Sequence, residues 1–166
     1  MNKSDVIQAL QLEPHIEGGY FRRTFTSDQH FVANDSVSPQ IMRPLMSSIF
    51  YLLTDDNPIG RLHRNRSAIM HYWHAGSALR YHLLKPDGEL QHIELGPDLR
   101  RGQQLQMLVP GGWWKATELI DGEFGLISEA VCPGFDYVDM QLASFADISA
   151  TYPQHAAALR RFCAMG

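Results

Sequence analysis

IGRLHRN (residues 59–65), MHYWH (70–74), ALRYHLL (78–84), LQHIEL (90–95) and LQMLV (105–109) follow one another through the middle of the chain. Each has the length and the leucine, aromatic and β-branched content of a strand. The breaks between them are turn chemistry: Ala75-Gly76, Lys85-Pro86-Asp87-Gly88, Gly96-Pro97 and Pro110-Gly111-Gly112. Working outward, Asp55-Asp56-Asn57-Pro58 and Asp121-Gly122 separate three further segments, Leu45 to Leu53, Trp113 to Leu119 and Phe124 to Val131. Tyr20 to Thr26 adds a strand on the N-terminal side. Strands this numerous predict an all-β sheet rolled into a barrel or jelly roll, because open edges invite aggregation, and they predict a pocket inside it.

The ends read as helix. Ser4 is placed to cap Asp5 to Leu10, with Pro14 closing the segment, while Ser144 caps Phe145 to Tyr152 and Pro153 suits the first turn of a further helix. Ser27 to Pro44 has no clear period and reads as a long loop of the kind that covers a site. No repeat, linker or low-complexity tract divides residues 1–166, so the chain reads as one domain.

Composition narrows the function. With 45% hydrophobic and 19% charged residues the chain has the balance of a folded globular protein. A formal charge of −4 argues against a nucleic-acid partner, whose phosphates demand clustered Lys and Arg. The chain has neither an apolar run of the roughly 20 residues that a membrane span needs nor the layout of a signal peptide at Met1 to Leu12. These features predict a cytoplasmic protein with no membrane partner, and Cys132 and Cys163 are expected as reduced structural thiols.

Several phrases together resemble an uncharacterised family of cupin proteins, bacterial and fungal. They are Leu12-Glu13-Pro14-His15-x-Glu17-Gly18-Gly19-Tyr20-Phe21, Ser48-Ile49-Phe50-Tyr51-Leu52-Leu53, Leu62-His63-Arg64 leading to His74-Ala75-Gly76, and Leu95-Gly96-Pro97-Asp98-Leu99. Val109-Pro110-Gly111-x-Trp113-Trp114 and Pro133-Gly134-Phe135-Asp136-Tyr137 complete the set. The resemblance spans almost the whole chain. It implies the cupin double-stranded β-helix, a jelly-roll barrel with short terminal helices here, a small-molecule pocket and a homodimer.

Metal-binding cupins carry three His and a Glu at set positions, which fall here on His63, Asn65, Ile69 and Lys115. One imidazole survives. Isoleucine has no donor atom and a protonated amine cannot coordinate, so no metal or other cofactor is expected. The stretch Ser67-Ala68-Ile69-Met70-His71-Tyr72 also lacks a carboxylate that relatives often carry there.

Without a metal, chemistry falls to acid–base groups. Strand alternation sets His63 with Arg61 and Asn65 on one face, and His74 and Tyr72 with Met70 on another. A His63 and Tyr72 pair is the candidate catalytic acid and base, an arrangement similar to that of the metal-free sugar epimerases of the cupin superfamily. Candidate ligand contacts are Arg61, Asn65, His74, Trp113, Lys115 and Glu17, the last beside glycines that would let backbone approach a ligand. His71 and His74 fall on opposite faces and are read as structural. The expected function is a metal-independent isomerase or epimerase on a sugar-like or nucleotide-like molecule. The alternatives are a non-catalytic small-molecule binder and a metal-dependent cupin oxygenase or isomerase.

Overall fold

Residues 1–33 and 41–164 are described by a computed structural model of the chain. Two sheets lie face to face. The larger is formed, in spatial order, by β1 (Glu13–Pro14), β2 (Tyr20–Thr26), β5 (Ser47–Thr54), β12 (Phe124–Cys132), β7 (Ala68–Gly76) and β10 (Gln106–Val109). The smaller runs β13 (Met140–Leu142), β6 (Ile59–Asn65), β11 (Trp114–Leu119), β8 (Leu79–Leu84) and β9 (Leu90–Leu95). All of these pairs are antiparallel, which is the jelly-roll arrangement. The two sheets stay separate in their hydrogen bonding and do not close into a continuous barrel.

The strands form where the turn residues allow. Gly76 and Gly88 adopt positive φ, as do Gly112 and Gly122, at breaks expected from the sequence. Short strands escaped the sequence reading, β1 and β13 among them. β3 (His30–Ala33) pairs with β4 (Ile41–Pro44) as a separate ribbon, so part of the expected Ser27 to Pro44 loop is a hairpin. The remainder of that loop, 34–40, lies outside the described residues.

Between the sheets, Tyr51, Leu53, Leu79, Tyr81, Leu83, Met107, Val109 and Ile127 form the main core. Each such side chain contributes about 1.5–3 kcal/mol by leaving water. The helices cover outer faces. α1 (Lys3–Leu10) lays Val6 against Leu52 and Leu126 of the larger sheet. Its cap is Asn2, in a reciprocal capping box with Asp5, and not Ser4. α2 (Phe145–Thr151), capped by Ser144 as expected, and α3 (Ala156–Leu159) pack Ile148 and Leu159 on Leu62, Leu84 and Trp114 of the smaller sheet. Both cysteines are free thiols, and Cys163 is buried under these helices.

Candidate functional site

At one end of the space between the sheets the core turns polar. His15, Glu17, Phe21, Arg23, Ile49, His63, Asn65, Ile69, Glu129, Phe135 and Tyr137 are among the side chains around a cavity of about 30 Å3, close to one water's share of liquid volume. Phe135 and Tyr137, in edge contact at 5.0 Å, stand with Arg23 at its mouth.

The local backbone delivers Glu17. After β1 the chain turns through Gly18 and Gly19, at φ of 95° and 69°. A Cβ on Gly18 would sit 2.1 Å from the carbonyl oxygen of Ile59, so only glycine lets the turn press against β6. The Arg61 amide donates to the Glu17 carbonyl at 2.6 Å, which fixes the turn two residues before His63. Glu17 Oε2 then lies 3.2 Å from His63 Nε2 and 3.6 Å from His15 Nδ1.

Hydrogen bonding fixes the proton positions. His63 Nδ1 lies 2.7 Å from the Arg61 carbonyl oxygen, which only accepts, so Nδ1 carries the hydrogen and Nε2 presents a lone pair to Glu17. Burial lowers the His63 imidazole to about 3, helped by the Lys115 charge, so the ring is neutral. Burial also raises the Glu17 carboxyl to about 8, partly offset by Lys115. Glu17 therefore stands protonated at neutral pH, its O–H facing His63 Nε2. The Glu17 amide donates to His15 Nδ1 at 3.2 Å, and burial lowers the His15 imidazole as well.

A second group adjoins it. Lys115 is the cross-strand partner of His63, and its Nζ lies 2.8 Å from His71 Nε2 and 3.2 Å from Glu129 Oε1. Burial alone would push the Glu129 carboxyl up. The Lys115 charge and His71 outweigh it and hold Glu129 well below the usual carboxylate range. Burial and Lys115 together lower His71. One cavity thus borders two carboxyl groups held in opposite protonation states, the condition that separates an acid from a base.

Several sequence expectations meet here and others do not. Glu17, His63 and Asn65 border the cavity, and Lys115 is buried beside it. Arg61 contributes through its backbone amide and carbonyl, while its side chain is not among those lining the cavity. Trp113 packs on the inter-sheet core with the Lys85 ammonium 5.4 Å over its ring, away from the cavity.

The proposed His63 and Tyr72 pair is overturned. β7 turns Ile69 and His71 inward, so Tyr72 lies on the outer face, 37% exposed. His74 shares that outer side, bonded to Ser128 Oγ at 2.8 Å and set edge-on to Phe50. The reading of both as site residues fails because the parity of β7 faces them to the outside. His71, read as structural, is fully buried against Lys115. His15 and Glu129 went unnominated. The signal for Glu129 was its shared parity with the buried Ile127 and Val131; His15 lay within the Pro14-His15-x-Glu17 phrase.

The metal positions of the fold can be tested directly. His63, Asn65 and Ile69 do border one cavity and Lys115 faces His63, so the mapping from sequence is spatially correct. The donor set does not fit a divalent ion: Ile69 offers no ligand atom, and the Lys115 charge beside His63 repels a cation. Among the described residues no grouping of three or more His, Cys, Asp or Glu is arranged to hold one.

A double-sheet jelly roll with a polar cavity between its sheets defines the chain as a cupin-class protein. The chain belongs to the cupin superfamily family DUF985, whose family model matches residues 4–143. It is 38% identical over 144 residues to the uncharacterized protein YML079W of Saccharomyces cerevisiae, covering 81% of this chain and 71% of that protein. Among solved structures, protein SO0799 of Shewanella oneidensis is 35% identical with a TM-score of 0.88, over 100% of this chain and 99% of that one. A hypothetical protein from Leishmania major is 28% identical with a TM-score of 0.90, over 99% and 100%. Oxalate decarboxylase of Bacillus subtilis shares the fold at 14% identity and a TM-score of 0.55, over 90% of this chain and 36% of its own.

Proposed function

We propose that the protein is a metal-independent proton-transfer enzyme, an isomerase or epimerase of a small carbonyl compound. The observation that carries this reading is the convergence of Glu17, His63 and Glu129 on one cavity, with Glu17 Oε2 3.2 Å from His63 Nε2 and Glu129 Oε1 3.2 Å from Lys115 Nζ. Glu17 is the acid and Glu129 the base. In the step, Glu129 takes the proton from the carbon next to the carbonyl, and that C–H pair becomes the new C=C bond. The carbonyl pair meanwhile accepts the Glu17 proton, giving the enol. Reversal, with the proton returned to either carbon or either face, completes an isomerisation or epimerisation. Neutral His63 holds the Glu17 O–H in line, and Lys115 keeps Glu129 ionised.

The cavity favours a compact substrate. At about 30 Å3 it is far below the roughly 300–1,000 Å3 typical of ligand pockets. Any carbonyl substrate, even one of three or four carbons, therefore enters only if groups at the mouth such as Arg23, Phe135 and Tyr137 swing aside.

Solvent deuterium exchange tests the reading without knowing the substrate. The protein in D2O is incubated with 2-oxobutanoate and with dihydroxyacetone, and loss of the C–H signals next to the carbonyl is followed by NMR. Exchange in at least one of them is expected, slowed by about 10²–10⁴-fold in Glu17→Gln. The wild-type rate falls as pH rises past about 8, where Glu17 loses its proton, and that limb disappears in the variant. Exchange in neither compound leaves a binding protein, and exchange indifferent to Glu17 overturns its assignment as the acid. A stoichiometric transition metal in elemental analysis of protein purified without added ligand overturns the metal-independent mechanism.

A further inference from the structure

The cavity holds little more than a water, so the entry of anything larger depends on the segment that walls its mouth. Gly134 to Asp139 is that segment. It leaves the larger sheet after β12 and leads into β13 of the smaller one, and so crosses from sheet to sheet at the polar end of the space between them. Phe135 and Tyr137 border the cavity from it. Its two ends are fixed. At the start the Gly134 amide donates to the Pro44 carbonyl at 2.7 Å, and the Phe135 amide to the buried Ser47 Oγ at 2.9 Å. At the finish the Arg66 amide donates to the Asp139 carbonyl at 3.0 Å, and Met140 enters β13 opposite Asn65.

Among the described residues, the backbone between those points bonds only within the segment. The Val138 amide donates to Asp136 Oδ1 at 3.0 Å and the Asp139 amide to the Asp136 carbonyl at 3.0 Å. Tyr137–Asp139 close as one 3-10 turn that buries none of its residues, and Tyr137 and Val138 are 52% and 78% exposed. A stretch with few buried apolar contacts and self-contained hydrogen bonds is where local opening costs least. Arg43 of β4 ties it down. Its Nε and Nη2 donate to the two Asp139 carboxylate oxygens at 2.7 and 3.1 Å, and its Nη1 lies 3.8 Å from Asp136 Oδ2. A guanidinium fork on a carboxylate fixes direction as well as distance. The pair is shielded, with the Arg43 and Asp139 side chains 13% and 12% exposed, which sets it apart from the weak ion pairs of open surface.

We infer that Asp136 to Asp139 is a gate on the cavity, that Arg43 is its latch, and that Tyr137 swings outward with the turn when the latch releases. This rests on the acid–base reading only for what the opening serves; the opening itself stands on how the segment is anchored.

Access to the cavity is measurable without a substrate. Diethyl pyrocarbonate modifies neutral imidazoles and is too large for the closed cavity, so its labelling of His63 in the full chain, followed by mass spectrometry, reports opening; exposed His92 is the reference. Arg43→Ala is expected to raise the His63 rate relative to His92 by about tenfold or more, with Arg43→Lys in between because an ammonium lacks the fork. Amide hydrogen exchange at Val138 and Asp139 should rise with it, while β5 and β12 keep their protection. Faster amide exchange with unchanged His63 labelling makes Arg43 a structural tie and overturns the gate. Wild-type protein decides alone if the variants fold poorly. Labelling of His63 that stays flat in urea up to about 1 M reports local opening, whereas labelling that climbs with the slope of global unfolding excludes a gate. Two further results separate the gate from the acid–base reading. Deuterium exchange of either carbonyl compound, with His63 labelling indifferent to Arg43, sustains the chemistry and sinks the gate. Arg43-dependent labelling with no deuterium exchange sustains the gate and sinks the chemistry.

Discussion

Glu17 and His63 are oppositely shifted, and the shifts act on stability with opposite sign. Folded Glu17 keeps its proton up to about 8 while the unfolded chain releases it near 4.5, so native protein binds more protons across that window. Stability therefore falls as pH rises from the lower value to the upper. His63 works the other way: the unfolded ring protonates below 6.5 and the folded one only near 3, so its share of stability is lost as pH falls between them. Removing only the Glu17 titration isolates its part. In thermal melts, Glu17→Gln should gain on wild type as pH is raised from about 5 to about 8. A melting-temperature difference constant over that range shows that Glu17 titrates as an ordinary carboxyl. At this scale the sequence was legible for His63, Asn65, Glu17 and Lys115, whose positions follow from motif spacing. It was not legible for Tyr72 and His74: alternation grouped them correctly on one face, but which face looks inward depends on what β7 packs against.

Strands and turns, one level up, place those residues. The turn before β2 works because glycine lets Gly18 sit against the Ile59 carbonyl, and its own carbonyl accepts the Tyr51 hydroxyl at 2.9 Å. Gly18→Ala should cost about 2 kcal/mol or more, since the added methyl meets backbone that cannot give way. Deuterium exchange should fall with it as Glu17 moves from His63. Gly102 is the control: it has a similar φ of 82°, but no atom lies within 4 Å of its would-be Cβ. Gly102→Ala should cost about 1 kcal/mol and leave exchange intact; denaturant melts that show equal losses exclude the packing argument. The long strands were legible because each lies between strong turn signals, and β6 and β9 match their expected bounds. β13 and the β3–β4 ribbon were not, being three or four residues long and stabilised by pairing rather than by their own composition.

For the whole molecule, the outer face of the larger sheet is unevenly covered. α1 shields the part around Leu52 and Leu126, while Tyr72, Leu105 and Leu108 stay 37%, 48% and 53% exposed near β7 and β10. Leu108 lies opposite Met70 in the strand register, and Gln106 opposite Tyr72, so the exposed groups adjoin. We propose that the homodimer implied by the family resemblance buries this face against a second copy. Light scattering on wild-type protein should then give twice 18.8 kDa, and Leu108→Glu should give a monomer that melts lower. A wild-type monomer, or a dimer indifferent to the charge, excludes this face. Among the described residues no helix is long and apolar enough to cross a membrane.

The chain's residues, read in order, determined the all-β jelly-roll class, the terminal helices and the loss of the usual cupin metal donors, because turn chemistry, strand periodicity and missing ligand atoms are local properties. Tertiary structure alone decided which histidines face the cavity, that Lys115 pairs with Glu129 and His71, and that Glu17 and Glu129 are held in opposite protonation states. Those outcomes depend on which sheet face is buried and on charges brought together from residues 17, 63, 71, 115 and 129, far apart in the chain. Burial and Coulomb interaction act through space, and no pattern along the sequence encodes the distances that set them.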